Sequence, residues 1–163
     1  MRLAMGAEEI SLRDYREGDL EAMIRVDEVC FAADFRFDRA SMSAFAEARN
    51  AMAVVAETSG HWMAGFAIVH MERAPAGLRG YIVTLDVLPE YRHGGLGARL
   101  IGEMERRVQA TGARWMDLHV FTGNEGAIRF YERLGYERMG LKHRFYGQDG
   151  LDAFVYRKAL AVG

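Results

Sequence analysis

Hydrophobic and polar residues recur with two different periods along the chain, and each change of period separates a predicted strand from a predicted helix. Residues 10–13 alternate as in a short strand. Apolar residues at helical spacing then follow two aspartates, Asp19 and Asp38, that are suited to cap a helix. The pattern therefore predicts one strand and two helices, which an aromatic-rich connection at residues 31–38 joins.

Three strand-like segments follow. Residues 51–57 and 61–71 are apolar runs separated by a Thr-Ser-Gly sequence, which is typical of a hairpin turn. A third run, residues 79–88, follows a turn that contains proline and glycine. Strands joined by such short turns pair antiparallel, so this part of the chain predicts an antiparallel meander.

The helical period then returns twice. Residues 96–110 predict a helix and residues 115–121 predict a strand. Thr122 and Glu125 have the spacing of a capping box, with Thr122 as the N-cap. We therefore expect a further helix to begin directly behind Thr122.

Two more strand-like segments, 136–145 and 151–160, complete the pattern. The strand–helix–strand unit at residues 80–121 needs a crossover connection and hence a parallel pair of strands. We expect an α/β fold in a single domain of residues 1–163, with a mixed sheet of six to seven strands flanked by about four helices. The sheet should be antiparallel at both ends.

Composition narrows the class of protein. The chain carries 21 basic and 23 acidic residues without a long basic block, and its apolar runs are shorter than a bilayer requires. We therefore expect a soluble, cytoplasmic protein with no nucleic-acid or membrane partner. The single cysteine, Cys30, is expected to be a buried apolar side chain, and no histidine has metal-ligand spacing, so no metal is predicted.

The stretch YRHGGLGARL, residues 91–100, contains three glycines before a predicted helix. Unpaired N–H groups at a helix N-terminus bind anions, and glycine lets the main chain approach phosphate oxygens closely. A tight turn with positive φ angles needs the same glycines, so both interpretations stay open on this pattern. A P-loop and a dinucleotide fingerprint are excluded, because no Lys-Ser/Thr pair follows Gly97 and Leu100 stands where the fingerprint requires glycine or alanine.

The same stretch resembles motif A of the GCN5-related N-acetyltransferase (GNAT) family, Arg/Gln-x-x-Gly-x-Gly/Ala, which Arg92, Gly95 and Gly97 match. Residues 118–136, LHVFTGNEGAIRFYERLGY, are similar to the second signature of the family, in which an Asn opens a helix that carries a Tyr. The resemblance is strong over residues 80–160 and weak before them. It implies the GNAT fold, with two central parallel strands that splay apart, and the binding of acetyl-CoA.

The resemblance implies three sets of contacts with acetyl-CoA. Main-chain groups of Leu85, Asp86 and Val87 would pair with the pantetheine arm, which Asn124 would also contact. Arg92 either supports the phosphates or lies on the surface. The diphosphate would be held by consecutive residues in front of the helix: His93, Gly94, Gly95, Leu96, Gly97 and Ala98.

The resemblance also implies catalytic roles for three side chains. Tyr131 would protonate or hydrogen-bond the departing thiolate of coenzyme A. His119 would accept the amine proton directly or through water, and Tyr81 would help to hold that water. Each has a structural alternative, respectively as a core aromatic, a structural strand histidine and a packing residue. Tyr81, Val83 and Leu85 are expected to share one strand face.

The acceptor is expected to be a primary amine, and the chain most resembles ribosomal-protein-alanine and protein N-terminal acetyltransferases, which act on α-amino groups. An α-amine is roughly 14% neutral at pH 7 and a lysine amine about 0.04%, so a histidine base suits the former. The resemblance implies that Phe145 and Tyr146 contact the peptide main chain, although Phe145 replaces a Tyr of these relatives. Phe35 and Phe37 would line the acceptor site from the other side.

Two other functions remain open. In the first, the acceptor is a small amine such as a polyamine, an amino acid or an aminoglycoside, for which Asp34, Asp38 and Asp149 would supply negative charge. In the second, the chain is a non-catalytic acyl-CoA sensor. A monomer and a homodimer are both compatible with the sequence.

Overall fold

The computed structural model describes residues 9–146 and 150–161, and within them it shows one sheet of seven strands and four α-helices. The strands are β1 (Ile10–Asp14), β2 (Ala51–Thr58), β3 (Met63–Ala74), β4 (Gly77–Val87), β5 (Trp115–Phe121), β6 (Glu137–Lys142) and β7 (Ala153–Ala159). The helices are α1 (Leu20–Cys30), α2 (Arg39–Glu47), α3 (Leu96–Ala110) and α4 (Glu125–Arg133). The predicted α/β class is confirmed.

The strand order in the sheet is β1-β2-β3-β4-β5-β7-β6. The chain builds the antiparallel meander first, crosses over through α3, and adds β5 parallel to β4. The last two strands pair antiparallel with their neighbours. This arrangement confirms a mixed sheet that is antiparallel at both ends.

The central parallel strands separate before they end. Their last paired residues are Ile82 and Leu118, although β4 continues to Val87 and β5 to Phe121. The opening between the C-terminal ends of β4 and β5 is called the strand gap below. It is the splay that the resemblance implies.

Helices cover both faces of the sheet and create two cores. α3 and α4 pack on one face, where Leu100, Met104 and Tyr131 contribute to the larger core. α1 and α2 pack on the other face, where Met23 and Met42 are fully buried. Burial of apolar side chains on both faces fixes the helices and therefore the loops that surround the strand gap.

A β-bulge in β4 changes the direction of its side chains. The register between β3 and β4 skips Val83, which is an additional residue in β4. Val83 packs in the core under α1 and α2, whereas Leu85 packs in the core under α3. The prediction that Tyr81, Val83 and Leu85 share one face is wrong, because the additional residue reverses the alternation.

α4 begins two residues later than the capping-box pattern predicts. Its N-cap is Asn124 and not Thr122, and Asn124 Oδ1 accepts a hydrogen bond from the Ala127 N–H at 3.1 Å. A turn comes first, in which the Asn124 N–H donates to the Phe121 carbonyl oxygen. Glu125 is consequently the first helical residue, and it does not act as the distant partner of Thr122.

The final hairpin is shorter than predicted. β6 ends at Lys142, because the chain turns at Arg144, which has a φ of 54° and donates its N–H to Asp152. Among the described residues no helix is both long enough and apolar enough to cross a membrane.

Candidate functional site

The three glycines around the start of α3 each have a different structural role. Gly95 is the N-cap of α3 and has a φ of 85°, so the turn itself requires glycine there. A Cβ at Gly97 would lie 3.1 Å from the ring of Phe130, so close packing of α3 against α4 requires glycine at that position. Gly94 meets neither condition, because its φ is not positive and nothing lies within 4 Å of an added Cβ. At Gly94 no side chain covers the main chain, so an anion can approach it closely.

The first turn of α3 offers donors to such an anion. The hydrogen bond from the Arg99 N–H to the Gly95 carbonyl oxygen opens the helix, so the N–H groups of Leu96, Gly97 and Ala98 precede the intrahelical ladder. The positive end of the helix dipole points the same way. His93, with a φ of 66°, turns the chain into this segment. The segment therefore fits a diphosphate.

Arg92 connects the same loop to β4. Its Nε donates to the Val87 carbonyl oxygen at 2.8 Å, and the side chain is exposed. Arg92 thus fixes the loop against the end of β4. Both interpretations of Arg92, support of the phosphates and a surface position, agree with this bond.

The strand gap exposes main-chain groups of alternate β4 residues. The Leu88 N–H donates to the Ala64 carbonyl oxygen, so by alternation the peptide groups of Asp86 also face β3 and those of Leu85 and Val87 face the gap. The expectation that the Asp86 main chain pairs with a pantetheine arm is therefore corrected. Leu85 and Val87 retain the predicted position, although the Val87 oxygen already accepts from Arg92.

Asn124 lies at the start of α4, and its side chain has a structural task. Because its Oδ1 accepts from the Ala127 N–H, only the NH₂ group of the amide remains for a pantetheine carbonyl. The NH₂ group has no partner in the helix cap and can donate to such a carbonyl.

Tyr81 and His119 meet where β4 and β5 begin to separate. The Tyr81 hydroxyl lies 2.6 Å from Nδ1 of His119, and the two rings are 5.5 Å apart between centroids. On its other side the imidazole stacks on Phe145, with ring centroids 4.1 Å apart and an angle of 9° between the planes. The histidine is therefore held in one orientation by a hydrogen bond and an aromatic stack.

The environment sets the charge of both groups. Burial, followed by the positive charges of Lys142 and Arg79, lowers the pKa of His119 below its usual value. Burial raises the pKa of the Tyr81 hydroxyl well above 10. Near neutral pH the imidazole is consequently neutral and the phenol protonated.

Tyr131 projects from α4 and is 7% exposed. Its ring packs edge-on against Phe130 and Tyr136, and among the described residues its hydroxyl has no hydrogen-bond partner. Burial, and next the negative charge of Asp86, raises the pKa of Tyr131 strongly. Tyr131 is thus a core aromatic residue whose hydroxyl group stays protonated near neutral pH.

An aromatic group stands beside the Tyr81–His119 pair. Phe35 packs against Phe121 at 5.1 Å and against Tyr146 at 5.0 Å between ring centroids, and Tyr146 packs against Phe145 at 4.8 Å. Phe121 was not among the residues predicted for the site. Its signal was available, because Phe121 lies two residues after His119 and hence on the same face of β5.

Phe37 and three aspartates were also expected near the acceptor. Phe37 packs on Phe45 in the core under α1 and α2, so it does not belong to this aromatic group. Asp38 caps α2 through the Ser41 N–H, and Asp34 is exposed. Asp149 lies outside the described residues.

A network of ion pairs lies next to the strand gap, where β4 and β5 are still paired. Asp117 in β5 is 2% exposed and accepts hydrogen bonds from Arg79 of β4 and Arg157 of β7 at 2.8 to 2.9 Å. The Arg79 guanidinium also lies over the Tyr81 ring, 5.3 Å from its centroid. The network joins β4, β5 and β7 next to Tyr81, and it was not predicted from the sequence.

The chain is similar in sequence to known acetyltransferases. The chain is 36% identical over 98 residues to the catalytic subunit ard1 of the N-terminal acetyltransferase A complex of Schizosaccharomyces pombe, covering 58% of this chain and 55% of ard1. It is 31% identical over 105 residues to the N-alpha-acetyltransferase RimI of Mycobacterium tuberculosis, covering 64% of each. The chain spans 20% to 64% of the length of these and two further curated relatives.

A solved structure shares the fold. Arabidopsis thaliana NAA60 in complex with acetyl-CoA matches with a TM-score of 0.81 and 22% identity, covering 93% of this chain and 99% of NAA60. A family model described as the acetyltransferase (GNAT) family matches residues 11–136. That match covers more than half of the residues of this chain, so the chain belongs to the acetyltransferase (GNAT) family.

Proposed function

We propose that the chain transfers the acetyl group of acetyl-CoA directly to the α-amino group of a protein or peptide. The observation that carries this proposal is the hydrogen-bonded Tyr81–His119 pair beside the strand gap. It combines a neutral imidazole with a protonated phenol at the position where an amine would meet a thioester. The names of the relatives ard1 and RimI, both N-terminal acetyltransferases, support the same class of acceptor.

Acetyl-CoA would be held by main-chain groups. The bare segment from His93 to Ala98 suits the diphosphate, and the gap-facing peptides of Leu85 and Val87 suit the amides of pantetheine, with Asn124 as a further donor. When bound there, acetyl-CoA supplies the activated acetyl group as a thioester. The reaction then involves two protons, one that leaves the amine and one that the departing sulfur needs.

His119 takes up the proton of the amine. In the neutral imidazole the Nδ1 lone pair accepts the hydrogen bond from the Tyr81 hydroxyl, because the tyrosine keeps its proton. As the amine gives its proton to the Tyr81 oxygen, directly or through a water, the hydroxyl proton passes to Nδ1. No charge builds up on Tyr81, and His119 carries the positive charge afterwards.

Tyr131 serves the sulfur. Its raised pKa keeps the hydroxyl protonated, and that hydroxyl is free of partners among the described residues. We assign to it the donation of a hydrogen bond or a proton to the departing thiolate. The aromatic group of Phe35, Phe121, Phe145 and Tyr146 supplies apolar surface for the first residues of a peptide acceptor.

Release of free thiol from acetyl-CoA tests the proposal. The acceptors are peptides with a free α-amine, the same peptides with that amine blocked, polyamines and aminoglycosides, with a reaction without acceptor as the control. We expect thiol only with the free peptides. Thiol release restricted to small amines would replace the acceptor class, and a higher melting temperature with acetyl-CoA but no thiol would indicate a sensor.

Two variants test the assigned roles. Tyr131→Phe and His119→Ala should both lower turnover at saturating acetyl-CoA while coenzyme A still binds. Wild-type turnover in both variants would contradict the roles of these side chains.

A further inference from the structure

Two aspartates occupy the interior between α1 and β4, on the opposite face of the sheet from α3. Asp27 is 1% exposed and Asp86 is 0% exposed. Asp27 lies on the apolar side of α1, and Asp86 lies between the two residues whose peptides face the strand gap. Buried carboxylates normally pair with a cation, so this pair requires another explanation.

The hydrogen bonds of the two carboxyl groups leave one oxygen free on each. Asp27 Oδ2 accepts from the Phe37 N–H at 2.8 Å, and Asp86 Oδ1 accepts from the Thr84 hydroxyl at 2.5 Å. Asp27 Oδ1 and Asp86 Oδ2 are buried and have no donor. α1 brings Asp27 next to Asp86, because Cys30, one turn further along α1, donates its thiol hydrogen to the carbonyl oxygen of Val87 at 3.3 Å. A proton between the two free oxygens would satisfy both.

Electrostatics favours that proton. Burial, and next the bond to Asp27 and its negative charge, raises the pKa of Asp86 well above its usual range. Two carboxylates in contact inside a protein cannot both ionise without a large penalty, and a pair of this kind retains one proton. The proton belongs to the pair and not to either residue alone.

We propose that Asp27 and Asp86 share one proton, and that this bond holds the connection between α1 and α2 against β4. That connection carries Phe35 to the strand gap, while the Phe37 N–H is anchored on Asp27. Both aspartates are therefore positioning residues, which join the acceptor side of the site to the strand that borders the gap. The link to an acceptor rests on the proposed function; the shared proton does not.

The other ionisable groups around the pair keep their charge state near neutral pH. The charge of Arg92, from the loop before α3, opposes the rise in the pKa of Asp86 without cancelling it. Burial raises the pKa of Cys30 in α1 to about 11, and burial also raises that of Tyr131 in α4, so both stay neutral. Loss of the shared proton is consequently the charge change to expect at this place as the pH rises.

Asp86→Asn tests the shared proton, because its amide N–H can donate to Asp27 at every pH. Above the ordinary aspartate pKa the folded wild type holds one proton more than its unfolded chain. The unfolding equilibrium constant of the wild type should therefore rise about tenfold per pH unit relative to that of Asp86→Asn. Denaturant unfolding from about pH 5 upward measures the ratio.

A ratio that does not change with pH would overturn the shared proton. Glu28→Gln is the matched control, since Glu28 is the exposed neighbour of Asp27 on α1. Its ratio to wild type should stay constant. Asp27→Asn, which places the amide on the other partner, should repeat the result of Asp86→Asn.

Amide hydrogen exchange tests the positioning role. Asp86→Ala removes the bond and should lower the protection of residues 31–38, whereas Asp86→Asn should retain wild-type protection. Equal protection in the two variants would overturn the positioning role. Asp27→Ala gives the same comparison from the other partner if Asp86→Ala does not fold.

These measurements do not depend on turnover. If no amine were acetylated by the wild type, the proposed function would fail while the unfolding and exchange results would still decide the present proposal. If turnover is found, Asp86→Ala should raise the KM for the acceptor and leave the affinity for coenzyme A unchanged.

Discussion

The hydroxyl oxygen of Tyr81 lies 2.6 Å from Nδ1 of His119, at the point where β4 and β5 stop pairing. Two residues on parallel strands are thus joined through their side chains just where the main-chain hydrogen bonds end. The stack on Phe145 and the ion network behind Tyr81 fix the pair in this arrangement. These contacts restrict the orientation of both side chains beside the strand gap.

The first prediction concerns this pair. His119→Ala should lower kcat by about 10²- to 10⁴-fold, the usual contribution of a general base, and Tyr81→Phe should cause a loss of similar size, because the proton reaches His119 through the Tyr81 hydroxyl. Steady-state kinetics at saturating acetyl-CoA measures both. His61→Asn is the control, because His61 is exposed, and asparagine tolerates its φ of 67°. Equal kcat values for His119→Ala and the control would contradict the role of the histidine.

The second prediction concerns pH. His119 acts as the neutral imidazole, so activity is lost as the pH falls through its pKa, which burial and Lys142 hold below the usual 6.5. Lys142→Gln removes a positive charge and should move the pKa of His119 upward, which a titration of the ring by NMR measures. Arg114→Gln, an exposed change elsewhere, should leave it in place. A downward or absent shift in Lys142→Gln would show that Lys142 does not act on the ring.

The third prediction separates ligand binding from folding at the glycines. Gly94→Ala should leave the melting temperature unchanged, because the added Cβ meets open space at a φ that is not positive. Calorimetry should show a loss of about tenfold or more in affinity for coenzyme A, equivalent to one hydrogen bond to a charged oxygen.

A glycine inside the same helix is the control for that experiment. Gly102 also has open space around an added Cβ, and Gly102→Ala should stabilise α3 by about 1 kcal/mol without a change in affinity. Equal affinities of Gly94→Ala and Gly102→Ala would mean that the loop before α3 does not bind the diphosphate.

The fourth prediction concerns Asp117. Burial alone would raise the pKa of this carboxyl, but the hydrogen bonds from Arg157 and Arg79 outweigh burial and lower it. Asp117→Asn breaks a buried ion network and should cost about 3 kcal/mol of unfolding free energy at pH 7. A lowered pKa gives stability that is present above about pH 4 and lost in acid, so the difference from wild type should shrink as the pH falls. Urea unfolding at several pH values measures it, and a constant difference would contradict the assigned charge.

Local signals made much of the fold predictable. The bounds of α3 and β5 agree with the predicted ones, because both elements have an unbroken period between clear turn residues. The bulge at Val83 was not predictable, since it depends on how β4 pairs with β3 and leaves no mark in the local pattern. Thr122 and Asn124 are both good caps, and only the turn formed by Phe121 decides between them.

The site was predictable where the family resemblance supplied residues, and less so where tertiary contacts decide. Tyr81 and His119 were expected near the same proton, and they are in contact. Asp27 and Asp86 were missed as a pair, because they are far apart in the sequence. Their signal was a carboxylate at an apolar position in each of two elements, which indicates a buried partner but does not identify it.

The most direct test of the account is the position of the acetyl group on a peptide that offers both kinds of amine. A peptide with a free N-terminus and one internal lysine is incubated with the wild-type protein and acetyl-CoA, and tandem mass spectrometry locates the modification. We expect acetylation of the α-amine by the wild type and strongly reduced acetylation by His119→Ala. Acetylation of the lysine alone, or of neither amine, would contradict it.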